Sequence, residues 1–303
     1  MSVLIVGSVA LDTIEAGGKK VKEVLGGSAV YASVASSFLS KTSIISAAGK
    51  DFPEKYVNLL KKHKIDVSGL QIADGKTFRW KGKYSCDFNN AVTLHTKLNV
   101  FKNFKPIIQN KNKNGGYLLL ANIDPDIQFQ ALKNLCNVKL VALDTMNLWI
   151  KTKIKKLKNL FKLTDILFVN EEEAKQFTGK KNIIAAAKAL SKTGPAIIII
   201  KRGEYGSFLF KKNEMFFVPS YPVEKVTDTT GAGDTFAGAF ISYVESKKNV
   251  SSPVLKHAMF YAAVMASFNI ESFSISRLSN LTKKEISARL YALKKITELS
   301  HEK

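Results

Sequence analysis

The chain is poor in cysteine, in arginine and in long apolar runs, and each shortage excludes something. Two cysteines in 303 residues, Cys86 and Cys136, make neither a disulfide framework nor a cysteine metal site, so reduced thiols in a cytoplasmic protein are expected. Unbroken aliphatic runs reach about five residues, as at Ala196–Ile200, against the roughly 20 that span a bilayer, so no membrane partner is expected. The opening MSVLIVGSVALD carries no basic stretch ahead of its apolar run, so no secretory leader is expected. The 46 Lys and Arg against 25 acids give a net charge of +21, yet only Arg79, Arg202, Arg277 and Arg289 are arginines. Proteins that read base sequence lean on the bidentate arginine fork, and these lysines are dispersed. In the densest stretch, 151–163, Ile154, Leu157, Leu160 and Phe161 recur at helical spacing, which puts the lysines on a solvated face. Specific nucleic-acid binding is therefore not expected. With 46% hydrophobic and 23% charged residues, disorder, collagen and coiled coil are excluded as well.

What is present is alternation. Val3–Val6, Thr42–Ala47, Tyr117–Ala121, Lys139–Leu143, Ile166–Val169 and Ala196–Lys201 read as buried strands. Helix starts lie between them: Asp124-Pro125, Asp51 with Pro53, Ser252-Pro253, and a capping box at Thr282 and Glu285. The pattern predicts an α/β fold, a Rossmann-like three-layer core with a mostly parallel sheet, in one domain over residues 1–303. Segments 12–24, around Gly17-Gly18, and 71–100, around Gly75 and Gly82, break the alternation and read as strands of a small accessory sheet, a lid inserted into the core.

The most informative stretch is VTDTTGAGDTFAGAFISYV, Val226–Val244. Phe236, Phe240, Ile241 and Val244 recur at helical spacing, so Gly231-Ala232-Gly233 is a small-residue loop opening into a helix. Its unhindered N–H groups and the helix dipole make an anion site suited to phosphate. Asp234 follows in the first turn. A carboxylate beside a phosphate cradle repels phosphate, so its sensible role is to take a proton from an attacking hydroxyl, and the dipole should keep it ionised. An aspartate here is also an ordinary helix cap; the ordered string D-T-T-G-A-G-D is what raises it above one.

That string resembles the C-terminal signature of the ribokinase (PfkB-type) carbohydrate kinases, and further motifs follow in that family's order. The resemblance implies Asp234 as catalytic base and the amides of Gly231, Ala232 and Gly233 as anion hole. Gly26-Gly27 resembles the diglycine motif that approaches the acceptor, and Asp12 the acid that grips its hydroxyls. Tyr31 stands where the family usually has Asn; as a ring it would either stack on the acceptor or pack into its helix. Asp144 and Asn147 resemble a D-x-N substrate block, although Trp149 replaces the arginine usual there. Asn170 and Glu173 resemble the N-x-x-E motif that organises Mg²⁺ through water. Lys201, Gly203 and Gly206 resemble the turn lining the nucleotide, and Thr230 joins them. Asp228, with Thr230, is the candidate for holding K⁺.

The expected function is ATP- and Mg²⁺-dependent phosphotransfer to a hydroxyl, a primary CH₂OH, of a sugar, sugar derivative or nucleoside, with homodimerisation, if any, through the lid. The alternative is a non-catalytic sugar- or nucleotide-binding sensor, or a nucleic-acid-binding scaffold, on the same fold. A P-loop at Gly75-Lys76-Thr77 is not expected, since Leu70 stands at the position of its first glycine.

Overall fold

The computed structural model describes residues 2–85, 91–110 and 116–298. Cys86 and part of the 71–100 segment lie outside the described residues; Cys136 is a free, exposed thiol. Parallel strands β1 (Val3–Val6), β4 (Thr42–Gly49), β5 (Ile65–Ala73), β8 (Tyr117–Leu120), β9 (Leu140–Asp144), β10 (Ile166–Asn170) and β11 (Ile197–Lys201) form most of a nine-stranded sheet. The order is β13-β12-β11-β10-β9-β8-β1-β4-β5, ending in an antiparallel hairpin of β12 (Ser207–Lys211) and β13 (Glu214–Val218). The expected core strands are all present, their ends shifted by one or two residues. Neither β5 nor the β12–β13 hairpin was read as a strand in the sequence. The hairpin's signal is the two-residue Lys212-Asn213 turn, Lys212 at φ 51°, between aromatic-rich arms.

Side chains along each central strand alternate between two cores. Val3 and Ile5 face one, Leu4 and Val6 the other, all buried, as a parallel sheet covered on both faces requires. The first core is closed by α1 (Ser28–Ser36), α8 (Ala232–Lys247), α9 (Ser252–Asn269) and α10 (Lys283–Thr297). The second is closed by α3 (Pro125–Lys133), α4 (Asn147–Thr152), α5 (Ile154–Phe161), α6 (Glu171–Thr178) and α7 (Ile183–Ser191). In α5, Leu157, Leu160 and Phe161 are buried while its lysines stay on the solvent side. Among the described residues no helix is long and apolar enough to cross a membrane.

Caps at Asp124, which accepts the Asp126 N–H, and at Thr282 with Glu285 are as expected. Asp51 is a correction. It does not cap α2 (Glu54–Lys62); it takes the Thr77 N–H and hydroxyl, each at 2.7 Å, and Arg79 at 2.8 Å. Pro53 already forces the turn into α2, which frees the carboxylate to tie two segments together.

The second sheet, order β3-β2-β6-β7, comprises β2 (Ala10–Ala16), β3 (Lys19–Gly26), β6 (Phe78–Tyr84) and β7 (Ala91–Lys97). Residues 71–73, read with this sheet in the sequence, belong to β5 at the edge of the main sheet. The run LQIA there continues the pairing to β4 as far as Gly49↔Ala73.

Candidate active site

Three adjacent strands end in functional side chains. Asp144 closes β9, Asn170 closes β10 and Lys201 closes β11, at the carboxyl edge where open parallel sheets bind ligands. Lys201 Nζ lies 2.7 Å from Asp144 Oδ2, both side chains largely buried. Facing them is the N-terminus of α8. Gly231 precedes it at φ 73°, a left-handed conformation, and a Cβ there would sit 2.3 Å from the Tyr31 ring. Only glycine satisfies both constraints. At Gly233 a Cβ would meet Lys201 Nζ at 3.1 Å, so the ammonium stands directly over the helix entry.

Asp234 is half-buried beside this pair. Its carboxyl is pushed up to about 7, by burial first and by Asp144 second, with Lys201 opposing. The expectation that the helix terminus keeps it fully ionised is thus corrected, because desolvation outweighs the partial charge of the dipole. A base poised near neutrality suits proton transfer better than a strong acid does.

Asn170 and Glu173 form a reciprocal capping box. Asn170 Oδ1 accepts the Glu173 N–H at 2.7 Å and Glu173 Oε2 accepts the Asn170 N–H at 2.8 Å. The ordinary capping role is therefore real, and both residues also line the cleft. Glu173 is 6% exposed and pushed up to about 8 by burial and then by Asp144. Asp144, Glu173 and Asp234 surround the single ammonium of Lys201. Among the described residues no three acidic, histidine or cysteine side chains are gathered to hold a metal ion directly, so a cation here would be held through water and by its ligand.

These groups line a cleft of about 680 Å³ together with Ala232, Gly203 and Gly206. Its far wall, the loop 220–226 and the α9 face bearing Ala263 and Ala266, went unread in the sequence. The small residues at i and i+3 on α9 were the available signal.

On the other side of Asp234 the arrangement is closed. Asp12, in β2, is 3% exposed, its Oδ1 has no hydrogen-bond partner, and it is pushed up to about 8 by burial, then by Asp228 and Asp234. Gly26 abuts it so closely that a Cβ would fall 1.8 Å from Asp12 Oδ2, and Gly27, at φ 102°, caps α1. Asp228 is 1% exposed; it accepts the Thr230 N–H at 2.9 Å and the Ser274 N–H at 3.4 Å, and its carboxyl is raised mainly by burial.

Three expected positions move. Thr230, grouped with the nucleotide turn, instead donates its hydroxyl to Tyr84 of the second sheet at 3.0 Å, because its turn with Asp228 faces it that way. Asp144, grouped with acceptor residues, sits with Lys201 and Glu173, while Asn147 begins α4 outside the cleft lining. Tyr31 is 1% exposed, its ring beneath Gly231 and its hydroxyl without a hydrogen-bond partner, so it supports the glycine loop from below. Tyr84 was missed altogether; a tyrosine in an alternating strand carries no mark of a partner 146 positions away.

A sequence model of the pfkB family carbohydrate kinases matches residues 2–280. The chain is 29% identical over 249 residues to the cytidine kinase of Thermococcus kodakarensis, an alignment covering 80% of this chain and 88% of that one. The crystal structure of the Methanocaldococcus jannaschii nucleoside kinase superposes with a TM-score of 0.76 at 23% identity, over 96% of this chain and 99% of that one. A putative ribokinase II from E. coli, in complex with ATP and Mg²⁺, gives 0.78 at 20% identity with the same coverage.

Proposed function

Because this chain belongs to the pfkB family of carbohydrate kinases, we propose that it moves the γ-phosphoryl group of ATP to a primary hydroxyl of a sugar, sugar derivative or nucleoside. The observation that carries this is the position of Asp234, half-buried at the cleft between Lys201 on one side and Asp12 on the other. In this reading the nucleotide occupies the cleft of about 680 Å³, with its phosphates against the N–H groups of Gly231, Ala232 and Gly233 and the ammonium of Lys201. The acceptor's hydroxyls bond to Asp12 against Gly26 and Gly27. Asp234 takes the proton as the acceptor oxygen attacks phosphorus, and the charge developing on the transferred group falls on the helix terminus. Asn170 and Glu173 would hold Mg²⁺ through water; when bound, that ion offsets the charge of the nucleotide phosphates. Asp228, a buried acid with no lysine or arginine ion pair among the described residues, is the residue to which K⁺ would answer.

A sensor or scaffold has no need of a carboxylate placed between the glycine loop with Lys201 and the acceptor acid Asp12, so catalysis is the better reading. Turnover of ATP against a panel of pentoses, hexoses and nucleosides tests it. Phosphorylation of at least one acceptor is expected, and ligand binding with no transfer to any would favour the sensor.

A further inference from the structure

The acceptor side of the second sheet carries a feature that the reaction scheme above does not use. Along β6 the residues Phe78, Trp80, Gly82 and Tyr84 share one face. Phe78 packs on Phe101 of the core, ring centroids 6.1 Å apart, and the Tyr84 hydroxyl meets Thr230, so this face looks toward the body of the protein. Trp80 lies between those two contacts and is half-buried. Its six-membered ring fills the space over Gly82, where a Cβ would come within 2.1 Å of it. Its Nε1–H donates to Thr93 Oγ1 of β7 at 3.2 Å. The indole is thus fixed by a glycine and one hydrogen bond, and with its only polar atom used inside the sheet it offers an apolar π face. In the parallel pairing of β2 with β6, Asp12 is the register partner of Trp80, on the same face about 4.8 Å away across the strands.

We propose that Trp80 is a specificity-determining residue that stacks on the base of a nucleoside acceptor, whose sugar hydroxyls bond to Asp12 one strand away. A free pentose has hydroxyls for Asp12 and nothing flat for the indole; a nucleoside has both. The proposal rests on the kinase reading above and narrows its acceptor class.

The test uses the full-length protein with ATP and Mg²⁺, and cytidine, adenosine and D-ribose as acceptors. Stacking is made alike in ground and transition states, so Trp80→Ala should raise KM for the nucleosides roughly 5- to 150-fold with little change in kcat. Turnover of ribose should stay within about twofold, and Trp80→Phe should restore most of the nucleoside affinity. The chain has two tryptophans, so in a Trp149→Phe background Trp80 emission should be quenched by cytidine and not by ribose. An equal loss for ribose and nucleosides, or no quenching at nucleoside concentrations that saturate turnover, overturns the proposal. If wild-type protein transfers phosphate to none of the three, the kinase reading has failed instead; quenching by cytidine then still supports the stacking role, and its absence at millimolar cytidine rejects it.

Discussion

The two sides of Asp234 differ in openness and in charge balance. Toward the sheet edge lies an open cleft in which Lys201 offsets Asp144 and Glu173. Toward the second sheet lie Asp12 and Asp228, 3% and 1% exposed, with two tyrosines close by and no lysine or arginine ion pair among the described residues. Both sides raise the acids they hold, and burial is the first cause on each. What differs is the countercharge: Lys201 opposes the rise on the cleft side, whereas on the closed side Asp12 has only further acids as charged neighbours. In the proposed reading a highly charged donor meets Lys201 and the N–H groups of the glycine loop in the open cleft, whereas a neutral acceptor needs hydrogen-bond partners and exclusion of water, which the closed side offers.

The sharpest way to break this comparison is at the residue common to both sides. Asp234→Asn keeps the shape and removes the base, so kcat should fall by about 10²–10⁴ while ATP affinity stays close to wild type in a binding titration. A variant keeping a tenth of wild-type kcat would remove Asp234 from the base role. The wild-type acid limb should lie near pH 7, since the carboxylate is the active form and protonates there.

The glycine loop separates the two sides unequally. Gly231→Ala places a Cβ in left-handed backbone and against the Tyr31 ring at 2.3 Å, which moves the loop; losing one such donor costs about 2.7–4 kcal/mol in the barrier, roughly 10²–10³ in kcat. Gly233→Ala meets only the mobile end of Lys201 at 3.1 Å and should lose far less. Equal losses in the two variants would show that close approach of phosphate, and not Tyr31, sets the loop.

The closed side predicts a pH effect on stability. Asp12 and Asp234 are raised to about 8 and about 7, as is Glu173 to about 8. The fold therefore holds protons that the unfolded chain releases near pH 4. Stability without ligand should be greatest near pH 4–5 and fall as pH rises toward 8. Asp12→Asn should flatten that slope and raise Tm at pH 8 by about 2–4 °C, as a gain near 1 kcal/mol does, while weakening acceptor binding. A lowered Tm would mean that the Asp12 charge is compensated in the fold.

The open side was largely legible because its chemistry is local. Gly231 to Asp234, Asn170 to Glu173 and Lys201 to Gly206 are each contiguous, and each follows a strand or opens a helix whose period can be read. The closed side is assembled from positions brought together only by folding. Tyr31 stands out in the sequence, yet nothing there decides between stacking on an acceptor and packing into α1, and Thr230 reads with the nucleotide turn because its partner Tyr84 is far away in the chain. Trp80 and Tyr84 read as alternation, because nothing in a strand says which face will meet another sheet. Asp51 misled for the same reason, since its partners Thr77 and Arg79 belong to another segment.

The smallest expected effect concerns the contact that joins the two sides. Thr230, two residues after Asp228 and just before the glycine loop, donates to the Tyr84 hydroxyl at 3.0 Å, and its carbonyl takes the Asn269 side chain at 2.8 Å. The second sheet is thereby bonded to the segment that carries the glycine loop. Tyr84→Phe keeps the ring and removes only the acceptor oxygen, a change of about 0.5–1.5 kcal/mol, or roughly 2- to 12-fold. If the bond holds the lid over the acceptor, the change appears in KM for the acceptor, with kcat and KM for ATP unaltered, because the cleft has its own walls in the 220–226 loop and α9. If the bond instead orders the glycine loop, kcat falls and KM for the acceptor does not. Thr230→Val closes a double-mutant cycle with Tyr84→Phe. Non-additivity confined to acceptor KM assigns the bond to lid closure, and non-additivity in kcat assigns it to the loop.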